Sequence, residues 1–349
     1  MIPPAPPTGS GRSLRRIAVA LPLVAILGYV VFWFAAEKAA RGQVDAWIAQ
    51  QKPRGIEART GAVTATGFPF QVTLTLAEPS ATAPAAGWSW QGPPLEISGK
   101  PWALDRLTFR APGVHALALP GRAGAPRAVR VTAGALDGTA FLDRGRLARL
   151  ELHLSGLDMA GDLGAARAEA ARLEIPAPSG SDEKPAQALI FDVAKLAFAS
   201  ADGALFGDTV DRLTLDLLLE GPVGGGPWPQ PALAWRDAGG VLQARRVAVA
   251  YGPLSLVGEG TAAIDRDGQP EGAFTARVTG FSAVIQALRL MGYMDPGAAN
   301  AAQVVLGLLA RGQGHGPETL EVPLTLQDRV VNLGPVQLVR LKPVDWFRP

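Results

Sequence analysis

The sequence predicts a mainly β fold that follows one N-terminal transmembrane helix. Three observations support this prediction: a charge-free apolar run near the N-terminus, repeated alternation of apolar and polar residues after it, and frequent glycine and proline between the alternating segments. The 41 glycines and 30 prolines together make about a fifth of the 349 residues, below the roughly 25–30% that indicates disorder. We therefore expect a large folded domain.

The first predicted element is the uncharged run of residues 17–36, which as a helix would span about 30 Å, the thickness of a bilayer core. Its anchoring residues are Ile17, Leu21, Leu23, Ile26, Leu27, Val31 and Trp33. Three arginines precede the run, namely Arg12, Arg15 and Arg16, and a mixed flank follows it. The positive-inside rule then predicts residues 1–16 as a cytoplasmic tail and a single-pass protein with an exported C-terminal domain. In a bacterium with two membranes this places the helix in the inner membrane and the C-terminal domain in the periplasm. Cleavage as a signal peptide is the alternative, although no small-x-small triplet follows the run.

The charges exclude several classes of function. The chain has 33 basic and 31 acidic side chains, and removal of the three N-terminal arginines leaves 30 basic against 31 acidic. A domain without a basic surface is a poor partner for nucleic acid, so we expect none. The absence of cysteine excludes disulfides, thiol nucleophiles and thiolate metal sites.

A stem helix is predicted over residues 37–52, and a periplasmic β-rich domain over residues 53–349. Period-two alternation predicts an elongated antiparallel sheet, or a half-barrel or sandwich. The residues expected on its apolar face are Phe70, Val72, Leu74, Leu76, Leu213, Leu215, Leu217, Leu256, Leu324 and Leu326. The pattern leaves open whether these residues form a closed core or line an open groove.

Other segments punctuate the predicted sheet. A helical hairpin is expected near residues 282–311, with Ser282 as an N-cap. The polar segment 176–187 is predicted to divide the sheet into two halves, and the segment 221–231 to hold no regular element. Hairpin turns are expected at Asp265–Gly268 and at Asp328–Arg329.

The motifs for catalysis are sparse. Three histidines lie far apart, and no metal-ligand spacing, phosphate-binding glycine loop or serine-hydrolase elbow occurs, so we expect no cofactor and no metal. A glycan hydrolase needs only two carboxylates at the right separation, and this alternative stays open. Its candidate carboxylates are Glu151, Asp192, Asp216, Glu220, Glu259 and Glu321, with Trp88, Trp90 and Trp102 as sugar platforms.

Several short motifs resemble a known family. Gly67, Phe68, Pro69 and Phe70 lead into an alternating strand, and the segments 251–272 and 334–338 add further matches. These residues resemble a membrane-anchored bacterial family catalogued as domain of unknown function 2125, and are distantly similar to the AsmA-like envelope proteins. The resemblance implies a β-rich, inner-membrane-tethered protein concerned with lipid handling or outer-membrane biogenesis. It carries no established catalytic residues.

Together these observations favour a non-enzymatic protein that is anchored in the inner membrane and binds lipid, or an envelope-protein partner, in cell-envelope maintenance. The alternatives are a periplasmic glycan hydrolase and a purely structural interaction module. The apolar sheet face is the feature that would distinguish them.

Overall fold

The computed structural model describes residues 11–121, 126–144, 146–181, 184–199, 206–224, 229–313 and 319–344, and within the first helix it describes side chains from Ala25 onward. The described residues form a single sheet of twenty strands together with four α-helices. The predicted mainly β fold is therefore confirmed.

The helices lie at three places in the chain. Their bounds are α1 (Gly11–Gln51), α2 (Gln230–Asp237), α3 (Phe281–Leu290) and α4 (Pro296–Gln313). The last two confirm the predicted helical hairpin, although α3 begins at Phe281 after Gly280, so that Ser282 lies inside its first turn. Helix α2 was not predicted: Pro231 near its start is compatible with the first helical turn, where no backbone N–H is needed.

Helix α1 is continuous, so the predicted stem helix is the second part of one helix rather than a separate element. Among the residues whose side chains are described, no helix is both long and apolar enough to cross a membrane. Part of the predicted span lies outside those described side chains, including Arg12, Arg15, Arg16, Ile17, Leu21 and Leu23.

The strands before residue 144 are mostly short. Their bounds are β1 (Glu57–Arg59), β2 (Val63–Thr66), β3 (Val72–Leu76), β4 (Ser80–Ala83), β5 (Trp88–Gln91), β6 (Leu95–Lys100), β7 (Ala103–Arg110), β8 (Gly113–Leu119) and β9 (Arg127–Asp143). The strands that follow are mostly longer. They are β10 (Arg146–Gly161), β11 (Gly164–Ile175), β12 (Ser179–Gly180), β13 (Pro185–Phe198), β14 (Thr209–Glu220), β15 (Val241–Tyr251), β16 (Leu254–Ile264), β17 (Pro270–Thr279), β18 (Thr319–Gln327), β19 (Val330–Leu333) and β20 (Val336–Arg340).

The sheet forks at β9. The first half of β9 pairs with β8 and its second half with β7, so that one branch continues through β5, β4 and β1 and the other through β6, β3 and β2. On its other side β9 pairs with β10, and from there an antiparallel meander runs to β20. The described strands thus belong to one open sheet, not to two sheets of a sandwich.

The two predicted hairpin turns are present, but the predicted break of the sheet is not. The turns at Asp265–Gly268 and Asp328–Arg329 join β16 to β17 and β18 to β19 as predicted, and the second has positive φ at both residues, as a two-residue hairpin requires. The segment 176–187 does not interrupt the sheet, because β11 pairs directly with β13 across it.

One row of residues breaks the strand alternation in five neighbouring strands. At one level the ladders omit a residue of each of β9, β10, β11, β13 and β14, namely Gly134, Gly156, Glu169, Lys195 and Asp211, and the pairing of β11 with β13 also omits Ala168 and Leu196. Gly156 and Lys195 adopt positive φ there. Because the unpaired residues lie at the same level in all five strands, the strands stay in register. Beyond this level, however, the alternation of side chains between the two faces is shifted by one residue. Apolar residues three apart, such as Ala168 and Ala171, therefore lie on the same face of the sheet.

An apolar sheet face between two helical covers

The strand register places apolar residues in one long row across thirteen strands. The row, from β2 to β18, consists of Ala65, Leu74, Ile97, Phe109, Gly138, Leu152, Leu173, Phe191, Leu215, Val247, Gly258, Ala276 and Val322. Directly opposed residues of paired strands share a face. Every member of this long row is apolar or glycine, so one face of the sheet is apolar from end to end.

The glycines in the long row leave room for their neighbours. A Cβ at Gly138 would lie only 2.0 Å from the Phe109 ring, which therefore packs over the glycine backbone. The row stays filled there although it contains a residue without a side chain.

A second apolar row runs beside the first. It consists of Leu136, Leu154, Ala171, Val193, Leu213, Val249, Leu256, Val278 and Leu320. The register row between these two points to the opposite face and is mostly polar: Asp137, His153, Arg172, Asp192, Thr214, Ala248, Val257, Arg277 and Glu321. The sheet therefore has an apolar face and a polar face.

Cross-strand ion pairs line the polar face. Arg212 pairs with Asp192 at 3.1 Å, and Arg277 pairs with Glu321 at 2.7 Å. Thr214 also donates its hydroxyl to Asp192 at 2.7 Å. Exposed pairs of this kind contribute about 0–1 kcal/mol each, so they identify the solvated face more than they stabilise it.

The C-terminal end of the apolar face is covered by α3 and α4. Phe281 and Ile285 of α3 and Leu306 of α4 are almost fully buried against Ala276, Val278, Leu320 and Val322 of the two rows. Asp295 accepts a hydrogen bond from the N–H of Ala298 at 2.9 Å at the start of α4. We call this pair of helices the C-terminal cover.

The N-terminal end is covered by the second part of α1. Trp33 is buried with Val72, Leu74 and Leu76, and Val44 packs at the edge of this cluster. The indole N–H of Trp33 donates to the carbonyl of Gln71 at 3.0 Å, and the guanidinium of Arg41 donates to the carbonyl of Val63. Because these bonds fasten α1 to β2 and β3, we call this part of α1 the N-terminal cover.

Between the covers, the apolar side chains of the long row are only half-buried, whereas Ala171 and Val193 of the second row are buried. Leu152, Phe191, Leu215 and Val247 occupy the long row in this region, and no helix of the described residues packs broadly across β9 to β15. The six strands of this uncovered region span roughly 24 Å at the usual strand spacing. This width exceeds the hydrocarbon thickness of a single leaflet, which is half of the ~30 Å core of a bilayer. Continuous apolar surface of this size is typical of a binding site.

The predicted site residues spread along this face instead of meeting at one point. Val72, Leu74 and Leu76 lie under the N-terminal cover, while Leu256 and Leu324 pack at the margin of the C-terminal cover and Leu326 lies near the end of β18. Leu213, Leu215 and Leu217 lie in the uncovered region.

Phe70 differs from its prediction as the first residue of this strand face. The N–H of Gln71 donates to the carbonyl of Gly67 at 3.1 Å, which closes a turn, so β3 begins only at Val72. Phe70 lies in the loop with its side chain 75% exposed.

The six candidate carboxylates lie on strands rather than around one cleft. Glu151, Asp192 and Glu321 each pair with an arginine, and Asp216 has a buried Oδ1 without a hydrogen-bond partner among the described residues. Two surface cavities have volumes of about 530 Å³, one over β15 to β18 and one at the turns beside α2. Glu259 lines the first, and none of the six lines the second.

The described histidines and tryptophans do not form a sugar-binding or metal-binding group. His115 is buried, donates its Nε2–H to the Ala111 carbonyl at 3.0 Å, and stacks on Trp90 with ring centroids 6.2 Å apart. Trp102 is exposed, and His315 lies outside the described residues. Across the described part of the chain, no group of three or more histidine or acidic side chains is placed to hold a metal.

Comparison with known proteins gives one family. A family model described as "Uncharacterized protein conserved in bacteria (DUF2125)" matches residues 33–342. The chain belongs to this family. No curated protein and no solved structure matches the chain.

The match to the DUF2125 family confirms the resemblance predicted from the sequence. It begins at Trp33, the buried residue of the N-terminal cover, and ends just after β20. The family region therefore includes both covers and the uncovered apolar face between them.

Some residues of the apolar face were missed by the sequence analysis. Leu157, Ala168 and Leu196 pack with Leu154, Ala171 and Val193, although each is separated from its partner in the same strand by the break in alternation. The signal that could have found them is the spacing of three between Leu154 and Leu157, repeated by Ala168 and Ala171 and by Val193 and Leu196 in adjacent strands.

Proposed function

We propose that this protein is a non-enzymatic, inner-membrane-anchored periplasmic protein that binds lipid acyl chains on the uncovered apolar face. The observation that carries the proposal is the long row: it is apolar or glycine in every strand from one cover to the other and half-buried between them. A bound acyl chain would bury this surface, and burial of apolar surface contributes about 25 cal/mol of favourable free energy per Å².

The membrane part of the proposal depends on the sequence. Residues 17–36 carry no charged side chain, and three arginines precede them. Helix α1 connects this run to the covered end of the sheet without interruption. The apolar face would thus begin beside the membrane from which it draws lipid, as the distant similarity to the AsmA-like proteins also implies.

Photocrosslinking at two neighbouring positions of β14 tests lipid binding. Leu215 points to the apolar face and Thr214 to the polar face, and both are half-buried. Each is replaced by p-benzoylphenylalanine in the full chain, which is reconstituted in vesicles of phosphatidylethanolamine and phosphatidylglycerol and irradiated. We expect phospholipid adducts by mass spectrometry at position 215, several-fold above those at position 214.

Equal labelling at the two positions, or none at position 215, would contradict the proposal. A charged pair of variants checks the same point without a photoreactive group. Leu215→Glu should reduce the lipid that copurifies with the full chain, whereas Thr214→Glu, a change to the same residue on the other face, should leave it unchanged. Circular dichroism of both variants establishes that the sheet is intact.

A further inference from the structure

Two phenylalanines in the turn between β2 and β3 are exposed at the surface of the protein. Phe68 is 52% exposed and Phe70 is 75% exposed, and both belong to the Gly67–Phe70 segment, which we call the hairpin tip. Exposed aromatic rings are unfavourable in water unless another apolar surface covers them.

The hairpin tip is fastened to α1. The Tyr29 hydroxyl donates to the carbonyl of Pro69, and the Trp33 indole N–H donates to the carbonyl of Gln71. The Phe68 ring lies edge-on to Trp33, with ring centroids 5.4 Å apart. Since one ring of the tip is held against the helix, the exposed phenylalanines have a fixed place beside α1.

The hairpin lies alongside the helix with its tip toward the N-terminus of α1. Arg41 contacts Val63 at the base of the hairpin, and Tyr29 contacts Pro69 at the tip. At the rise of an α-helix, positions 29 and 41 are about 18 Å apart along the axis. The tip is therefore level with the last part of the uncharged run, and the base is level with the Glu37–Arg41 ion pair.

Charge is absent from both partners at this level. The helix has no charged residue from 17 to 36, and the hairpin has none from Thr60 to Ala77. Exposed apolar side chains of α1 flank the tip, namely Ile26, Leu27, Val31, Phe32 and Phe34. Aromatic and aliphatic side chains in this arrangement are characteristic of a membrane–water interface, where charged groups begin only on the aqueous side.

We infer that the hairpin tip inserts Phe68 and Phe70 into the periplasmic interface of the bilayer, as a second membrane contact beside α1. The inference rests on the proposed function, because it needs residues 17–36 to cross the membrane. The uncharged run continues directly into the exposed residues around the tip, so the bilayer that receives the run also covers the tip. Two contacts instead of one fix the orientation of the sheet relative to the membrane.

Single cysteine variants test the inference, because the chain has no native cysteine. Phe70→Cys reports on the tip, Leu27→Cys on the helix, and Leu147→Cys is the matched control, an apolar residue 53% exposed near the turn between β9 and β10. Each full-chain variant is spin-labelled and reconstituted in vesicles of phosphatidylethanolamine and phosphatidylglycerol. Electron paramagnetic resonance then measures collisions with oxygen, which partitions into lipid, and with a water-soluble nickel chelate.

We expect the labels at positions 27 and 70 to collide mainly with oxygen, and the label at position 147 mainly with the nickel chelate. A water-accessible label at position 70 with a lipid-embedded label at position 27 would overturn the inference and leave the anchor intact. Water-accessible labels at both positions would overturn the anchor as well. Embedding of all three labels would indicate adsorption of the whole sheet, and dipolar broadening between the position-70 labels of two chains would assign the tip to a second copy; either result contradicts the inference.

Discussion

The covered ends and the uncovered middle of the sheet are built from the same strand pattern but differ in burial. Under the C-terminal cover, the long-row residues Ala276 and Val322 are buried, whereas Phe191 and Leu215 of the same row in the middle are half-buried. The register rows connect the two regions without interruption. The difference therefore comes from the helices above the sheet and not from the strands.

The two regions differ in what is packed on the apolar face. At the ends, its burial against helices contributes to folding stability. In the middle, the surface is also apolar, but none of the described residues covers it. Polar side chains at these positions would disrupt no contact with a helix. Retention of apolar residues at such positions favours a ligand as the missing partner.

The largest expected effect comes from removing a phenylalanine under the C-terminal cover. Phe281→Ala should lower the free energy of unfolding by about 3–5 kcal/mol, because the ring is 2% exposed and its loss leaves a cavity. Phe191→Ala, the same change in the uncovered middle, should cost roughly half as much, since its half-buried ring already contacts solvent. Urea titration of the full chain in mild detergent measures both values.

An equal loss in the two variants would break the comparison, because it would mean that Phe191 is as thoroughly packed as Phe281. Addition of phospholipid to the detergent sharpens the test. We expect lipid to stabilise the wild-type chain more than Phe191→Ala, and to stabilise Phe281→Ala as much as the wild type, because a ligand that binds only the folded state raises its stability.

A smaller effect is expected from two glycines that share a backbone conformation. Gly67 in the hairpin tip and Gly164 at the start of β11 both have φ of +100°, so an alanine is strained at either position by about 1–3 kcal/mol. A Cβ at Gly67 would also lie 2.8 Å from the carbonyl oxygen of Gln71, whereas nothing lies within 4 Å of a Cβ at Gly164.

Gly67→Ala should therefore destabilise the chain more than Gly164→Ala, and it should increase the solvent quenching of tryptophan fluorescence, since Trp33 is held by Gln71. The two unfolding free energies and the quenching constants are measured on the full chain. If both variants lose the same stability and neither alters the quenching, the tip is not fastened to the N-terminal cover as the structure describes.

Period-two alternation predicted much of the sheet because it depends only on neighbouring residues. The alternation of Leu213, Leu215 and Leu217 places them on one face whatever lies above it. The helical hairpin was predicted for the same reason, from apolar spacing of three and four. Whether a face is covered depends on contacts distant in sequence, such as Trp33 with Leu74, and no local pattern contains that information.

The lengths of the strands are not contained in the alternation, for a different physical reason. Alternation from Leu150 to Leu154 stops at Gly156, and alternation from Leu189 to Val193 stops at Lys195, as it would at the end of a strand. Both strands in fact continue, because the break occurs at one level in five adjacent strands and preserves their pairing. A single sequence shows a lost pattern at such a point, and only the register shows that the neighbours lose it together.

The smallest expected effect lies at this break, at the edge of the uncovered region. Lys195 donates a hydrogen bond to Asp211 at 2.6 Å, and this bond, with the attraction between the two charges, lowers the pKa of Asp211 and raises the pKa of Lys195. The aspartate contribution to stability is present above the ordinary aspartate pKa and is lost as the pH falls through the lowered value. The lysine contribution is present below the ordinary lysine pKa and is lost as the pH rises through the raised value.

Asp211→Asn should therefore reduce the difference in urea midpoint between neutral and acidic pH. The loss of stability should be smaller than that of either glycine variant, because both side chains are about half exposed and screened by water. Lys195→Gln removes the same bond from the other side and should reduce that difference equally, and the double variant should add nothing further. Additive effects of the two changes would show that the groups act independently. In that case the Lys195–Asp211 pair would not stabilise the break in alternation, and the backbone pairing on either side of it would hold the five strands together.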